Sequence, residues 1–279
     1  MNRTAAILVT AALLLTTAAT LNLHLHHHRT TPHLTTLPPA HSLPPSAALT
    51  TIALGGFRGI LADLLWMRAG ALQDEGRFFE LVQLSDWIVK LQPRSPAIWG
   101  YHAWNMAYNI AALMPSPEEK WRWVRNGLHL LRDEGLVINP GSAKLHQELA
   151  WIYLHKLGTN YDPAADHYRR EWAAEVAAGH AALDPDLQRQ LEATYGPLDW
   201  HTPQAHAIYW AATGLPLARL PSDDLALRRI IYQALIQYLQ QGQTQWQPAA
   251  IAAVQETIRH HPDIAALHTL LDRLQSPHP

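Results

Sequence analysis

Proline and glycine interrupt the apolar sequence beyond residue 50 at intervals that suit helices of about 12 to 20 residues. No run in this part shows the sustained alternation of apolar and polar residues that a strand requires. The pattern predicts helices at 57–74, 77–92, 96–113, 117–137, 142–157, 163–183, 187–194, 203–212, 222–241, 248–260 and 263–275. Paired in chain order, most of these helices form antiparallel hairpins, so the predicted fold class is all-α.

Several helix starts carry capping signals. Ser116, Pro117 and Glu119 combine an N-cap, a proline at the first helical position and a capping-box glutamate. Asp162 and Thr202, each followed by proline, repeat the signal in weaker form. These signals predict where the connecting turns lie.

The chain also contains an internal repeat. Pro93, Pro140 and Pro185 are 47 and 45 residues apart, and each separates an apolar helix end from a new amphipathic helix. In this pattern the chain resembles the tetratricopeptide repeat (TPR) superfamily, whose standard repeat has about 34 residues. The resemblance implies stacked antiparallel hairpins, a TPR-like α-solenoid, with lengthened helices or loops.

The resemblance assigns specific packing positions. In the first repeat the family's large first-helix residue corresponds to Trp99 and its small residue to Ala103. In the second repeat these positions hold His146 and Ala150, with Tyr153 at the family's aromatic position. The small residues are expected to let the two helices of a hairpin approach closely. A histidine where the family has tryptophan is a departure from its pattern.

A second resemblance covers about residues 50–212. It rests on the segments GGFRGILADLLWMRAGALQDEGRFFELVQLSDWIVKLQPRSP, YHAWNMAYNI, WRWVRNGLHLLRDEGL and YGPLDWHTPQAHAIYWA. These segments look like an uncharacterised group of bacterial membrane-anchored TPR-like proteins. This resemblance implies an interaction scaffold, and it supplies no activity to transfer. The C-terminal third resembles helical hairpins in general.

Residues 1–25 predict a signal anchor. No charged residue lies between Ala5 and Leu23, and this length matches a thin bilayer. Arg3 precedes the run and Arg29 follows it, a balance that favours the N-terminus inside. We therefore expect a single-pass protein of the bacterial inner membrane, with the helical domain of residues 49–279 on the periplasmic side. A cleaved signal peptide is the alternative interpretation.

Residues 26–48 predict a Pro/His-rich spacer. The sequence HHHRTTPHLTTLPPAHSLPPSAA contains five prolines, which rule out a continuous helix and favour polyproline II. Histidines at this density can bind zinc, copper or nickel, but no carboxylate or thiolate in the segment completes a defined site. A solvated tract next to the membrane is therefore the preferred interpretation.

Composition narrows the function classes. The formal net charge of -2 provides no basic surface for phosphates, so we expect no nucleic-acid partner. The chain has no cysteine, and it therefore has neither disulfides nor thiolate chemistry. Eleven tryptophans against three phenylalanines indicate either packing between helices or an aromatic binding surface.

The sequence offers little catalytic chemistry. It contains no nucleophile elbow, Walker A loop, zinc helix or dinucleotide fingerprint. Asp74 and Glu75 are adjacent, so their carboxylates diverge and do not form an acid/base pair. His201 and His206 could reach one metal, although a capped turn with a buried ring is the commoner arrangement. We predict a protein without enzymatic activity, cofactor or metal.

The resemblance to TPR hairpins also implies a groove. In such hairpins, fixed positions of the first helix face a concave surface, and here they hold Trp104, Tyr108, Lys144, Gln147, Trp151 and His155. The two tryptophans occupy the same repeat position, as a ladder of aromatic anchors requires. Packing between hairpins is the alternative role for both. The predicted function is a membrane-anchored scaffold that binds a protein or peptide, as a subunit or adaptor of a cell-envelope complex. The alternatives are a glycan-processing envelope enzyme and a purely structural subunit.

Overall fold

The computed structural model describes residues 57–181 and 183–276, together with Leu14, Thr16, Thr17 and Thr20. Within this part of the chain every regular element is a helix, which confirms the all-α class. Apart from those four residues, the predicted anchor at 1–25 and the spacer at 26–48 lie outside the described residues. None of the described helices is both long and apolar enough to cross a membrane.

Eleven helices follow one another in the described ranges. They are α1 (Phe57–Asp74), α2 (Phe78–Leu91), α3 (96–113), α4 (117–138), α5 (143–157), α6 (Ala165–Ala177), α7 (Pro185–Tyr195), α8 (Pro203–Gly214), α9 (Pro221–Gln240), α10 (Gln247–His260) and α11 (Ala265–Gln275). Short 3₁₀ turns, Leu215–Leu217 and Thr244–Trp246, follow α8 and precede α10. Each predicted helix is therefore present.

The described residues form two compact units. The first contains 57–77 and 83–92, and the second contains 78–82, 93–181 and 183–276. In the second unit α3 packs on α4 and α5, and α5 packs on α8. Helices α8, α9, α10 and α11 then pack in chain order, each on the next. Neighbours in the sequence are thus mostly neighbours in space, as helical hairpins require.

Small residues allow the closest helix contacts. A Cβ added at Gly127 of α4 would lie 2.9 Å from the Ala103 carbonyl oxygen of α3. A Cβ at Gly214 of α8 would lie 2.8 Å from the His146 Cβ of α5. Ala103 is fully buried. Gly127 therefore allows close contact between α3 and α4, and Gly214 allows close contact between α5 and α8.

Side-chain caps mark four of the described helix starts, those of α4, α5, α7 and α8. The Ser116 hydroxyl caps α4 by accepting a hydrogen bond from the Glu119 amide at 3.2 Å. The Thr202 hydroxyl caps α8 in the same way. The expected helix at 163–183 begins at Ala165 and ends at Ala177. It starts later because residues 163 and 164 form a turn, in which Asp162 Oδ1 accepts the Ala164 amide at 2.9 Å, and it ends early because the chain turns at Gly179, where φ is +81°.

Among the eleven helices of the described ranges, three contain a π-helical segment. These segments are Asn105–Ile110 in α3, Leu130–Gly135 in α4 and Ile152–Leu157 in α5. The first and third begin 47 residues apart, the same interval as Pro93 and Pro140. Such segments widen one turn and often occur at functional sites. The repeat therefore includes a backbone irregularity as well as a sequence pattern.

A buried histidine makes the stability of the second unit depend on pH. His206 is fully buried between Tyr153, Trp172 and Trp200, and its Nε2–H donates to the Trp200 carbonyl at 2.8 Å. Burial lowers the pKa of His206 from 6.5 to about 4. The unfolded chain therefore binds a proton that the folded chain does not, in the interval between these two values.

We expect the stability that neutral His206 contributes to be complete above pH 6.5 and to be lost toward pH 4. The loss should be roughly 3 kcal/mol over that interval. Chemical denaturation of wild type and His206→Phe at pH 7.5 and 4.5 measures it. The variant should lose clearly less stability between the two pH values. Equal losses in both proteins would contradict the prediction.

Candidate functional site

The predicted groove residues of α3 and α5 lie side by side. The Trp104 and Tyr108 rings stack with centroids 5.4 Å apart, and the Trp151 and His155 rings stack at 4.9 Å. Tyr108 and His155 join the two pairs at 5.8 Å, and Tyr161 lies 4.8 Å from His155. We call these five residues the aromatic cluster. Two repeats thus contribute equivalent residues to a single surface.

Tyr108 and His155 meet inside their π-helical segments. The Tyr108 hydroxyl lies 3.1 Å from His155 Nδ1. Burial raises the pKa of Tyr108, and burial together with the nearby Lys156 ammonium lowers the pKa of His155. Both groups are therefore neutral near pH 7, so the phenol O–H can donate to an unprotonated ring nitrogen. The joint between the two repeats is a neutral hydrogen bond.

A buried ion pair supports the cluster from below. Lys156 is 1% exposed, and its Nζ lies 2.7 Å from Asp162 Oδ2. The Tyr168 hydroxyl and the Ala164 amide also donate to Asp162, at 3.0 and 2.9 Å. Nζ further lies 5.1 Å from the centroid of the Tyr108 ring, a cation–π distance. An ion pair and a cation–π contact therefore lie on the buried side of the aromatic cluster, in addition to the ring packing.

A small pocket of about 430 Å³ opens between the two tryptophans. It is lined by Gly100, Tyr101, Trp104, Gln147, Glu148 and Trp151. A Cβ at Gly100 would lie 3.1 Å from Glu148 Cγ, so glycine allows the Glu148 side chain to pack closely at this point. Glu148 also forms an ion pair with Lys144 at 2.7 Å. The pocket combines aromatic walls with one carboxylate and one amide.

A larger pocket of about 760 Å³ also has Trp151 in its lining. Its walls come from α5, α9 and α11, including Leu154, Tyr232 and Leu270. Gln237 of α9 donates to the Leu154 carbonyl at 3.2 Å, because the π-helical end of α5 bonds the Gly158 amide to Tyr153 and leaves this carbonyl free. The residues lining the pocket include two arginines and no carboxylate. Trp151 lines both pockets.

The structure places the predicted residues as follows. Trp104, Gln147 and Trp151 line the small pocket, while Trp151 and His155 line the larger one. Tyr108 holds the cluster together, and Lys144 lies outside both linings, at Glu148. Trp104 is 38% exposed and Trp151 is half-buried, so both present part of their rings at the surface.

Sequence reasoning missed the walls that come from distant helices. Arg229 and Arg273 lie 78 and 122 residues beyond Trp151, outside the two repeats that it used. Tyr161 was also missed, because it follows α5 in a turn and not at a helical position. The only available signal was its closeness in the sequence to His155.

The other candidates stay apart. His201 is exposed beside Asp199, whereas His206 lies in the core. Glu75 accepts a hydrogen bond from Arg77 at 2.9 Å, which lowers its pKa, so it serves as a solvated ion-pair partner. Across 57–181 and 183–276 no group of three or more His, Asp or Glu side chains is placed to hold a metal ion.

Comparison of the chain with known protein families found no matching family model, and neither a characterised protein nor a solved structure matched it. The assignment of function therefore depends on the geometry of the aromatic cluster and its two pockets.

Proposed function

We propose that the chain is a membrane-anchored scaffold of TPR-like helical hairpins, and that the aromatic cluster with its two pockets binds a segment of a protein partner. The observation that carries the proposal is the pairing of equivalent residues. Trp104 and Tyr108 form one stacked pair, and Trp151 and His155, each 47 residues further along the chain, form the other. The two pairs lie together in one partly exposed surface.

The chemistry of this surface suits a protein ligand. Partly exposed tryptophan and tyrosine rings combine a large apolar area with a hydrogen-bonding group, and such residues dominate the energetics of protein interfaces. The buried Lys156–Asp162 pair holds the rings in place before binding, so little ordering entropy is lost on association. The two pockets on either side of Trp151 offer more room than one side chain needs, which favours an extended or helical segment.

The distribution of charge favours binding over glycan hydrolysis. Glycosidases place two carboxyl groups on opposite sides of the scissile bond. In the described part of the chain, Glu148 is the one carboxylate that lines either pocket, and it is already paired with Lys144. The surface therefore provides contacts for a ligand and lacks an acid/base pair.

The place of this scaffold in the cell follows from the sequence pattern. The uncharged run from Ala5 to Leu23 and the proline-rich spacer support an inner-membrane protein whose helical domain lies on the periplasmic side. The scaffold would then act as an adaptor or subunit of a cell-envelope complex.

The test is affinity purification of the full chain from solubilised membranes, followed by identification and titration of the co-purifying protein. We expect Trp104→Ala and Trp151→Ala each to weaken its binding at least about tenfold, because truncating a central aromatic anchor removes much of the binding energy. Trp87→Ala is the matched control, since Trp87 is 63% exposed but lies on α2, outside the surface.

The control variant should bind like wild type, and all three variants should keep the wild-type helical content. Unchanged binding by both cluster variants would refute this site, as would equal weakening by Trp87→Ala.

A further inference from the structure

Helix α1 presents a second apolar face that nothing described so far uses. Ile60, Leu64 and Met67 are 59%, 53% and 66% exposed. On the same helix Ala62 and Ala69 are fully buried. The helix is thus apolar on both sides, and one of the two apolar faces lies at the surface. Large apolar side chains that recur along an exposed helix are typical of an interaction surface.

The spacing of these residues is that of a coiled coil. Apolar residues at 57, 60, 64, 67 and 71 are separated by three, four, three and four positions, so they occupy a and d positions of consecutive heptads. In this register Leu64 is an a position, and Ile60 and Met67 are d positions. The buried residues Ala62 and Ala69 fall at f, on the far side of the helix. One face of the helix is therefore buried, while the a/d face is exposed.

Charged residues flank this seam in a self-complementary order. Asp63 occupies a g position and Arg68 the following e position. In a parallel pair of helices each g side chain lies near the e side chain five residues later in the other helix. Asp63 of each copy would therefore face Arg68 of the other copy, which gives two equivalent ion pairs. An antiparallel pair would instead place g positions opposite g and e positions opposite e, so Asp63 would not face Arg68. Within its own chain Arg68 reaches Glu75 at 3.5 Å, which leaves it accessible.

We propose that a second copy of this chain docks along the a/d face of α1, in parallel and in register. The seam would contain Ile60, Leu64 and Met67 of both copies, closed on each side by an Asp63–Arg68 ion pair. The helix has 18 residues and is about 27 Å long, which is short for a coiled coil. The association is therefore weak in dilute solution and becomes strong when both chains are held at high local concentration.

The absence of cysteine from the chain permits a direct test. The full chain is expressed with single substitutions Ile60→Cys or Leu64→Cys, oxidised mildly in cell membranes, and separated without reductant. Positions a and d of a parallel pair bring the two Cβ atoms within disulfide range. Both variants should give a covalent dimer.

Gly59→Cys is the control on the same helix. Gly59 is exposed and an added Cβ would meet no other atom within 4 Å, but it occupies a c position outside the seam. It should stay largely monomeric. Equal cross-linking at positions 59, 60 and 64 overturns the proposal, because random collision would explain it. Absence of cross-linking at both seam positions overturns it as well, and another protein, lipid or an earlier part of the chain would then cover this face.

Charge reversal tests the partner and its orientation. In the Leu64→Cys background, Asp63→Arg or Arg68→Asp alone places like charges opposite each other and should weaken dimerisation roughly tenfold. The double variant, Asp63→Arg with Arg68→Asp, restores both pairs and should recover the cross-linked fraction. The parallel pairing is overturned if the single charge reversals leave the cross-linked fraction unchanged. It is also overturned if the double variant does not recover that fraction.

Discussion

Replacing Asp162 with alanine is expected to lower the free energy of unfolding by about 3 to 5 kcal/mol, the range found when one partner of a buried ion pair is removed. Lys156 would keep its charge at 1% exposure with no carboxylate within hydrogen-bonding distance. The Tyr168 hydroxyl and the Ala164 amide would each lose an acceptor. Urea denaturation followed by circular dichroism measures the change.

Two further variants separate charge burial from general damage. Arg189→Ala breaks an ion pair whose side chains are 70% and 74% exposed, so it should change stability by less than about 1 kcal/mol. Lys156→Met combined with Asp162→Leu removes both charges and should recover part of the loss, although Tyr168 and Ala164 still lack their acceptor. An Asp162→Ala protein as stable as Arg189→Ala would show that the pair does not support the fold.

This ion pair also marks where local sequence signals are insufficient. Asp162 followed by proline is a good N-cap by composition, and the sequence therefore predicts a helix that starts at 163. In the structure its carboxylate accepts from Lys156, six residues earlier, as well as from the Ala164 amide, and the helix starts at Ala165. A carboxylate near a helix start can bond a cation as well as the backbone, and the sequence does not show that Lys156 is the second partner.

The helices themselves were predictable because their boundaries are encoded locally. The hydroxyls of Ser116 and Thr202 cap the helices that the sequence starts there, and Gly196, with a φ of +111°, follows the end of α7. The two tryptophans of the aromatic cluster were predictable from the sequence for a similar reason. Trp104 and Trp151 hold equivalent positions in a repeat of 47 residues, and the repeat preserves the face on which they lie.

The rest of the surface depends on contacts between distant segments. Arg229 and Arg273 reach the larger pocket because α9 packs on α5 and α11 completes the wall, a packing order that no local pattern encodes. The π-helical segments were also not predicted, since one widened turn leaves the apolar period almost unchanged. Together these features give the surface its depth and its charge.

Trp99 and Trp104 lie five residues apart on α3, and their alanine variants should differ strongly in stability. Trp99 is 2% exposed, its Nε1–H donates to the Pro93 carbonyl at 2.8 Å, and its ring fills the space beside Gly135. Trp99→Ala should therefore destabilise the second unit by about 3 to 5 kcal/mol, mainly through the cavity, because the Pro93 carbonyl would still accept from Asn139 Nδ2 at 2.9 Å.

Trp104→Ala should cost less than about 1.5 kcal/mol, because its ring is 38% exposed and contacts mainly Tyr108. Thermal and urea unfolding of both variants, measured beside wild type, give the comparison. A small loss for Trp99→Ala would mean that α3 is not seated in the core as described. A loss for Trp104→Ala equal to that for Trp99→Ala would assign Trp104 to packing between hairpins, and the aromatic cluster would then be a structural element without a binding role.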